Sequence, residues 1–451
     1  MSSLSLLLSV LVVAMAAGMS LLRPIHAVTL WALMFPLEQA LQVNTTFFYA
    51  YGSAFNYACA GGVLLAAARQ WLSGRAFLAQ IINPASVAML GLLGVATLSI
   101  SWSLYRSHAE EQFWWNLPYL LVATVAVPLC FSGLRSMTPL RSSIMFLGCI
   151  LAAAILVSPS FSYFATRARL ELGGGQSGSP LALAEAGGLM IVCAALGRCS
   201  DGLRAAVLLR ATAAILGAGL CLTSGSRGQL IAALATSFLL FPFARRVGNA
   251  RGVLLMFLAV PVVLGLAYLS MSLFVTSDNL KRWSADSITG GTSERLDFVR
   301  SYFDLWVRSP SVWLLGFGSM SFGSLVSVAH FVENLNAEIL FEEGLVGFTL
   351  YMALLGLVAR DAVFLGRYAV VDGQDRANLV TLVGVMLYFL LIASKSFNVW
   401  TAHPFWMWLL VTAAIATHER RRLRSEALAP ASDDPAGDAR LDATKADYSG
   451  D

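Results

Sequence analysis

Long apolar blocks separated by short polar punctuation dominate the chain, and block length is the informative feature. The stretches 4–22 and 253–274 carry no charged residue and approach the roughly 20 residues that a helix needs to cross a bilayer. Neither shows the period of two expected of a barrel wall or a half-buried strand. The pattern predicts spans at 4–22, 25–37, 57–68, 85–101, 117–131, 143–157, 181–196, 205–222, 230–243, 253–274, 335–358, 377–393 and 404–416, a count of about 12 or 13. The predicted fold class is all-α, a polytopic transmembrane helical bundle. Residues 1–418 form its membrane domain, 276–334 are its one large outer loop, and 419–451 are a disordered tail rich in Ala, Asp and Pro. The apolar N-terminus lacks the positive flank of a secretion signal, so it reads as the first span.

Composition sharpens this picture. Of 451 residues, 57% are hydrophobic and 12% charged, against roughly 25% charged in a soluble domain, and the mean hydropathy is +0.71. A water-soluble enzyme with this content would expose far more apolar surface than a monomer tolerates, which excludes that class. The six cysteines lie in or beside apolar blocks without metal-like spacing and read as small core residues. No internal repeat is evident, which argues against a secondary transporter built from matched halves.

The net charge of +4 reports membrane orientation rather than nucleic acid, because the arginines sit in short connections. The cationic run from Arg420 to Arg424 at the last membrane exit places the C-terminus in the cytoplasm. Counting back one span at a time puts Arg360, Arg367 and Arg376 on the same side, then Arg245, Arg246 and Arg251, Arg198 and Arg204, Arg135 and Arg141, and Arg69 and Arg75. The long loop falls on the opposite, periplasmic side although it carries Lys281, Arg282, Arg295, Arg300 and Arg308. Long loops cross despite their charge, and cations kept there suggest an anionic ligand.

Candidate chemistry gathers at that outer side. Thr223-Ser224-Gly225-Ser226-Arg227-Gly228 stands between two apolar blocks, where a guanidinium either grips phosphate oxygens or snorkels to the interface. Glu338 and Glu342 lie one helical turn apart beyond Glu333 and Asn334, as ligand contacts or as a capped, solvated first turn. Arg167 and Arg169 beside the Gly-rich loop 170–180 are candidates for holding a glycan or phosphate. Lys395, Trp400 and His403 in the last outer connection can line the same cavity. Glu110 and Glu111 beside Trp114 and Trp115 read as an interfacial aromatic belt. No Asp-x-Asp or other metal-ligand cluster stands on this side, so neither metal nor cofactor is expected.

These motifs, in their order, resemble the superfamily of O-antigen ligases and O-antigen polymerases (Wzy-like), bacterial membrane glycosyltransferases. The resemblance covers about Ser99 to Gly347. Ser101-Trp102-Ser103 looks like the early Trp-Ser element, and Ser226-Arg227-Gly228 is similar to the Ser-Arg-Gly motif. Ser293-Glu294-Arg295 with Pro310 and Gly316-Phe317-Gly318 resembles the outer loop. Asn334, Glu342, Gly344 and Gly347 match a closing element written His-Asn, seven residues, Glu-x-Gly-x-x-Gly. Where the ligases carry a His, taken as general base, this chain has Glu333, with His330 one turn earlier. That departure shifts weight from ligase to polymerase.

The resemblance implies a GT-C-like bundle of about 12 spans in the bacterial inner membrane. The implied activity is metal-independent polymerisation of undecaprenyl-diphosphate-linked oligosaccharide repeats into a surface polysaccharide at the periplasmic face. Arg227 and Arg295 would hold the diphosphate, Glu333 or His330 would take the acceptor proton, and Arg282, Arg300, Arg169, Asn334, Glu338 and Glu342 would contact donor or glycan. The implied partners are the lipid-linked glycan, the bilayer and a chain-length-regulating co-polymerase, with no nucleic acid. Two rivals stay open at this stage. One is an O-antigen ligase or protein O-oligosaccharyltransferase using the same donor. The other is a transporter of anionic lipid-linked sugars that binds without bond breaking.

Overall fold

The computed structural model describes residues 18, 23–158, 161–164, 167–173, 176–198, 204–245, 258, 261–262, 265, 297–325 and 334–428. Within these, six helices are long and apolar enough to cross a membrane: Pro84–Trp102, Leu134–Leu156, Arg204–Thr223, Arg227–Arg245, Gly344–Ala369 and Gly373–Ser396. Pro180–Leu196 is a shorter apolar helix beside them. Their outward faces carry Val87, Leu90, Phe146, Ile150, Leu208, Ile231, Leu239, Met352 and Val363, all exposed. Water would not tolerate such a belt, whereas lipid does, and the chain is a helical membrane protein.

Local chemistry explains where helices begin. Pro24, Pro84 and Pro180 each stand in the first turn, where the missing N–H costs nothing. Asn83 and Asp372 cap their helices by accepting from Ser86 N–H (3.0 Å) and Asp375 N–H (2.7 Å). The final helix, His403–Leu428, is the bundle's axis: every residue from Phe405 to Ala416 is buried, as expected of a helix that is apolar all round.

Four sequence expectations change. The block 335–358 is two helices, Leu335–Glu342 and Gly344–Phe364, broken where Gly344 adopts φ +69°. The block 25–37 is likewise divided, into Pro24–Ala32 and Met34–Asn44. The region read as a loop around Arg167 and Arg169 is a small antiparallel sheet of Phe161–Phe164, Arg167–Gly173 and Gln176–Ser177. The alternation in Arg-Ala-Arg-Leu-Glu-Leu is a strand's period of two, so the bundle is helical but the chain is not purely so. At the other end of the chain, residues 419–428, assigned to the tail, continue the last helix, with Glu419 buried and Arg420 paired to Asp361 at 2.5 Å.

The bundle has two chemically different ends. At one, Arg135 pairs with Asp375 (3.3 Å), Arg141 and Arg245 donate to the Arg198 and Gly197 carbonyls (each 2.7 Å), and Arg421 lies over Phe77 (4.4 Å). Basic residues that are far apart in sequence thus meet at one end of the bundle. At the other end, helix 297–307 and the segment after it rest on a separate aromatic core. There Tyr302 packs edge-on against Phe341 (4.6 Å) and Phe322 (4.9 Å), and Trp313 Nε1 donates to the Trp306 carbonyl (2.9 Å).

Candidate functional site

The motif end is assembled by backbone groups. Phe317 and Gly318 N–H donate to the Phe341 and Glu342 carbonyls (2.9 and 3.0 Å), and Leu345 and Val346 N–H donate to the Trp313 and Leu314 carbonyls (2.8 and 3.1 Å). This antiparallel stitching brings the two chains so close that a β-carbon on Gly316 would overlap the Glu342 carbonyl, and one on Gly344 the Leu314 carbonyl. Both glycines also have positive φ, +72° and +69°, a conformation costly to L side chains. The Gly-x-Gly at 316–318 and the Glu-x-Gly of the closing element are therefore one structural unit.

The early Trp-Ser element joins the same unit. Ser319 N–H donates to Ser99 Oγ (3.0 Å), Ser103 Oγ donates to the Ser319 carbonyl (2.6 Å), and Leu104 N–H donates to Ser321 Oγ (3.1 Å). Trp400, buried, donates Nε1 to Ser319 Oγ (2.9 Å).

Carboxylates hold this junction from inside. Glu342 is 1% exposed and accepts from Met320 N–H (2.6 Å) and Phe322 N–H (3.2 Å), which fixes Met320 in a positive-φ conformation. Glu338 is 2% exposed and accepts from Val399 N–H (3.2 Å). Both side chains, expected as glycan contacts, are engaged with the protein and act here as positioning groups. Glu343, not singled out from the sequence, is fully buried, and no described residue gives either of its carboxylate oxygens a hydrogen bond. Burial pushes all three carboxyls above the ordinary range. The charge of Glu342 adds to the rise at Glu338 and Glu343, while amide bonds from Met320 and Phe322 oppose it at Glu342.

Asn334 caps the closing helix by accepting from Asn336 N–H (3.1 Å) and Ala337 N–H (3.2 Å). Asn336 then donates Nδ2 to Ser394 Oγ (2.8 Å) and accepts from Tyr351 Oη (2.7 Å). The residue after Ser394 completes the connection: the Lys395 side chain lies directly over Gly228, where a β-carbon would overlap its Cδ and Cε. Lys395 also acts electrostatically on Glu185. Arg227, half-buried, opens the Arg227–Arg245 helix beside Gly228. Next to it stand Ser226 and Gln229, both buried, whose side-chain polar atoms have no hydrogen-bond partner among the described residues. The Ser-Arg-Gly motif and the closing element thus both touch the end of the Gly373–Ser396 helix, at Lys395 and Ser394.

Other candidates fall elsewhere. Arg300 is exposed on helix 297–307. Arg169 is on the middle strand opposite Ser162. His403 is buried in aromatic contact with Tyr119 (5.6 Å) and Phe35 (5.7 Å). Glu333, His330, Arg295 and Arg282 lie outside the described residues. Glu185 could have been found from sequence, since an ionisable residue within the apolar block 181–196 is a functional signal by default. Among the described residues, no group of three His, Cys, Asp or Glu is placed to hold a metal ion.

No protein-family model matches this chain, and no curated protein matches it either.

Proposed function

We propose that this protein is a membrane glycosyltransferase that polymerises undecaprenyl-diphosphate-linked oligosaccharide repeats at the periplasmic face of the bacterial inner membrane, through a bundle of about 12 spans with a cytoplasmic C-terminus. The observation that carries this reading is the convergence described above. Three of the four motifs, spread between Ser101 and Gly347, are joined by hydrogen bonds at one end of the bundle, and the Lys395 side chain covers Gly228 of the fourth, next in sequence to Arg227.

The chemistry follows from that arrangement. In the transfer, the bond between the donor sugar's anomeric carbon and the diphosphate oxygen breaks while the acceptor hydroxyl oxygen bonds to that carbon. Negative charge grows on the leaving diphosphate, and cations fixed beside it lower the barrier because they act more strongly on the transition state than on the ground state. Arg227 supplies a fork suited to two phosphate oxygens and Lys395 a point charge. The resemblance gives Arg295 the same role, and Glu333 or His330 that of taking the acceptor proton.

The test is repeat transfer in vitro from purified lipid-linked donor, with donor binding measured alongside. Arg227→Ala and Lys395→Ala are expected to lose at least about a hundredfold in turnover, the scale of removing one transition-state donor, and Arg227→Lys to recover part of it. Binding without turnover by the wild type would favour a transporter. Near-normal turnover in both Ala variants would overturn the assignment of the diphosphate site.

A further inference from the structure

The end of the bundle away from the motifs carries a cavity that the glycan chemistry does not use. Its volume is about 450 Å³, and it lies between the last turns of the His403–Leu428 helix and the segment 77–84 that leads into the Pro84–Ser99 helix. Thr417, Arg420, Arg421 and Arg424 line one wall. Steps of three, four and seven residues follow one face of a helix, so the three guanidiniums form a continuous stripe along the cavity. Arg421 is held there by the Phe77 ring, 4.4 Å below its guanidinium.

The facing wall is electropositive as well. Asn83 caps and Pro84 opens the Pro84–Ser99 helix, and both line the cavity; a helix N-terminus carries about half a positive charge. Among the described residues, no Asp or Glu lines the cavity. Asp361 is shared by Arg420 (2.5 Å) and Arg360 (3.3 Å), and Glu419 and Glu426 both pair with Arg422 (3.1 and 3.4 Å), which is not part of the cavity wall. Membrane orientation requires only that basic residues lie on one side. It does not require a stripe of them facing a helix start across a cavity.

The cavity leads onto an apolar surface. Ile82, on its rim, is 59% exposed, and Val87, Leu90 and Leu98 continue along the outward face of the Pro84–Ser99 helix, each more than half exposed. A helix face of this kind lies against acyl chains. A soluble anion would use the arginines alone, whereas a phospholipid uses both surfaces at once. Guanidinium forks suit phosphate oxygens, and basic pockets between membrane helices bind anionic headgroups. A zwitterionic headgroup would bring an ammonium into a wall that offers it no carboxylate.

We propose that this cavity seats the headgroup phosphate of an anionic phospholipid, with an acyl chain along the outward face of the Pro84–Ser99 helix. The site is separate from the candidate glycan site and does not depend on that reading.

The experiment uses the full-length protein stripped of lipid in neutral detergent. Binding of phosphatidylglycerol and of phosphatidylcholine is read by native mass spectrometry and thermal shift. Arg421→Gln and Arg424→Gln each remove one charge from an exposed side chain of the cavity, and Arg367→Gln, exposed at the same end but outside the cavity, is the control. Phosphatidylglycerol is expected to bind more tightly than phosphatidylcholine. Each cavity variant should weaken it about fivefold, the worth of one basic side chain beside an anionic headgroup, and the control should leave it unchanged. If Arg421→Gln folds poorly through loss of its contact with Phe77, Arg424→Gln on the exposed end of the helix still decides. An equal loss in the control would mean diffuse surface charge and would overturn the site, as would phosphatidylglycerol binding that is unchanged in Arg424→Gln. Displacement of the lipid by inorganic phosphate, but not by sodium chloride of equal ionic strength, would mark a pocket for a soluble anion and overturn the lipid assignment.

Discussion

Single carboxylates carry much of the order at the motif end. Glu342 satisfies two buried backbone N–H groups, those of Met320 and Phe322. A buried polar group left unpaired costs about 1–3 kcal/mol, so Glu342→Ala is expected to destabilise by several kcal/mol. The change should open the segment around 313–325 to limited proteolysis, and a variant that melts and digests like the wild type would show that the carboxylate is not what holds the loop. Glu343 is the opposite case, a buried carboxyl for which the described residues supply no hydrogen bond. Burial and then the charge of Glu342 raise its proton affinity in the folded state above the ordinary value of 4.5. A raised folded value means that stability is fully present below the unfolded value and is lost as pH rises through the folded one. Thermal midpoints should therefore fall as pH rises above the ordinary carboxyl value of 4.5, and Glu343→Gln should flatten that slope and raise the alkaline midpoint. An identical pH profile in the variant would remove Glu343 as the source.

Among elements, the telling feature is the junction between the outer segment and the broken helix. Gly316 and Gly344 face each other's strand of chain at positive φ, each with a carbonyl where a β-carbon would be. Gly316→Ala and Gly344→Ala combine the left-handed penalty of roughly 1–2 kcal/mol with a backbone clash. Gly94, exposed within the Pro84–Ser99 helix with nothing near its Cα, is the control: alanine there should be neutral or stabilise by up to about 1 kcal/mol. Scanning fluorimetry of the three variants is expected to separate them cleanly. Equal midpoints would mean that the stitching between 313–318 and 341–346 is dispensable.

For the molecule as a whole, the segregation of cations makes a topological prediction. Arg135, Arg141, Arg198, Arg245 and Arg420 gather at one end, and the motifs at the other. Positive clusters are retained on the cytoplasmic side, so a periplasm-active reporter fused near Ser311 should be active and one fused after Arg424 silent. Membrane-impermeant thiol labelling should follow the same division, marking cysteine at Ser311 but not at Arg424. The reverse pattern would invert the bundle and move the candidate glycan site to the cytoplasm.

By itself the sequence determined the membrane class, the helical blocks, the one-sided basic clusters and the order of the motifs, because run length, charge and motif spacing are properties of consecutive residues. Pro84, Pro180 and Asn83 likewise announced helix starts locally. The role of each polar residue was decided only by tertiary structure. Glu342 looked like a ligand contact because its hydrogen-bond donors are backbone amides twenty or more residues away, and backbone amides have no sequence signature. Lys395 is 167 positions from the glycine it covers, so that contact had no local sign. The break at Gly344 escaped hydropathy for a similar reason: apolarity measures preference for lipid, whereas the turn exists because Leu345 and Val346 bond to the chain at Trp313 and Leu314.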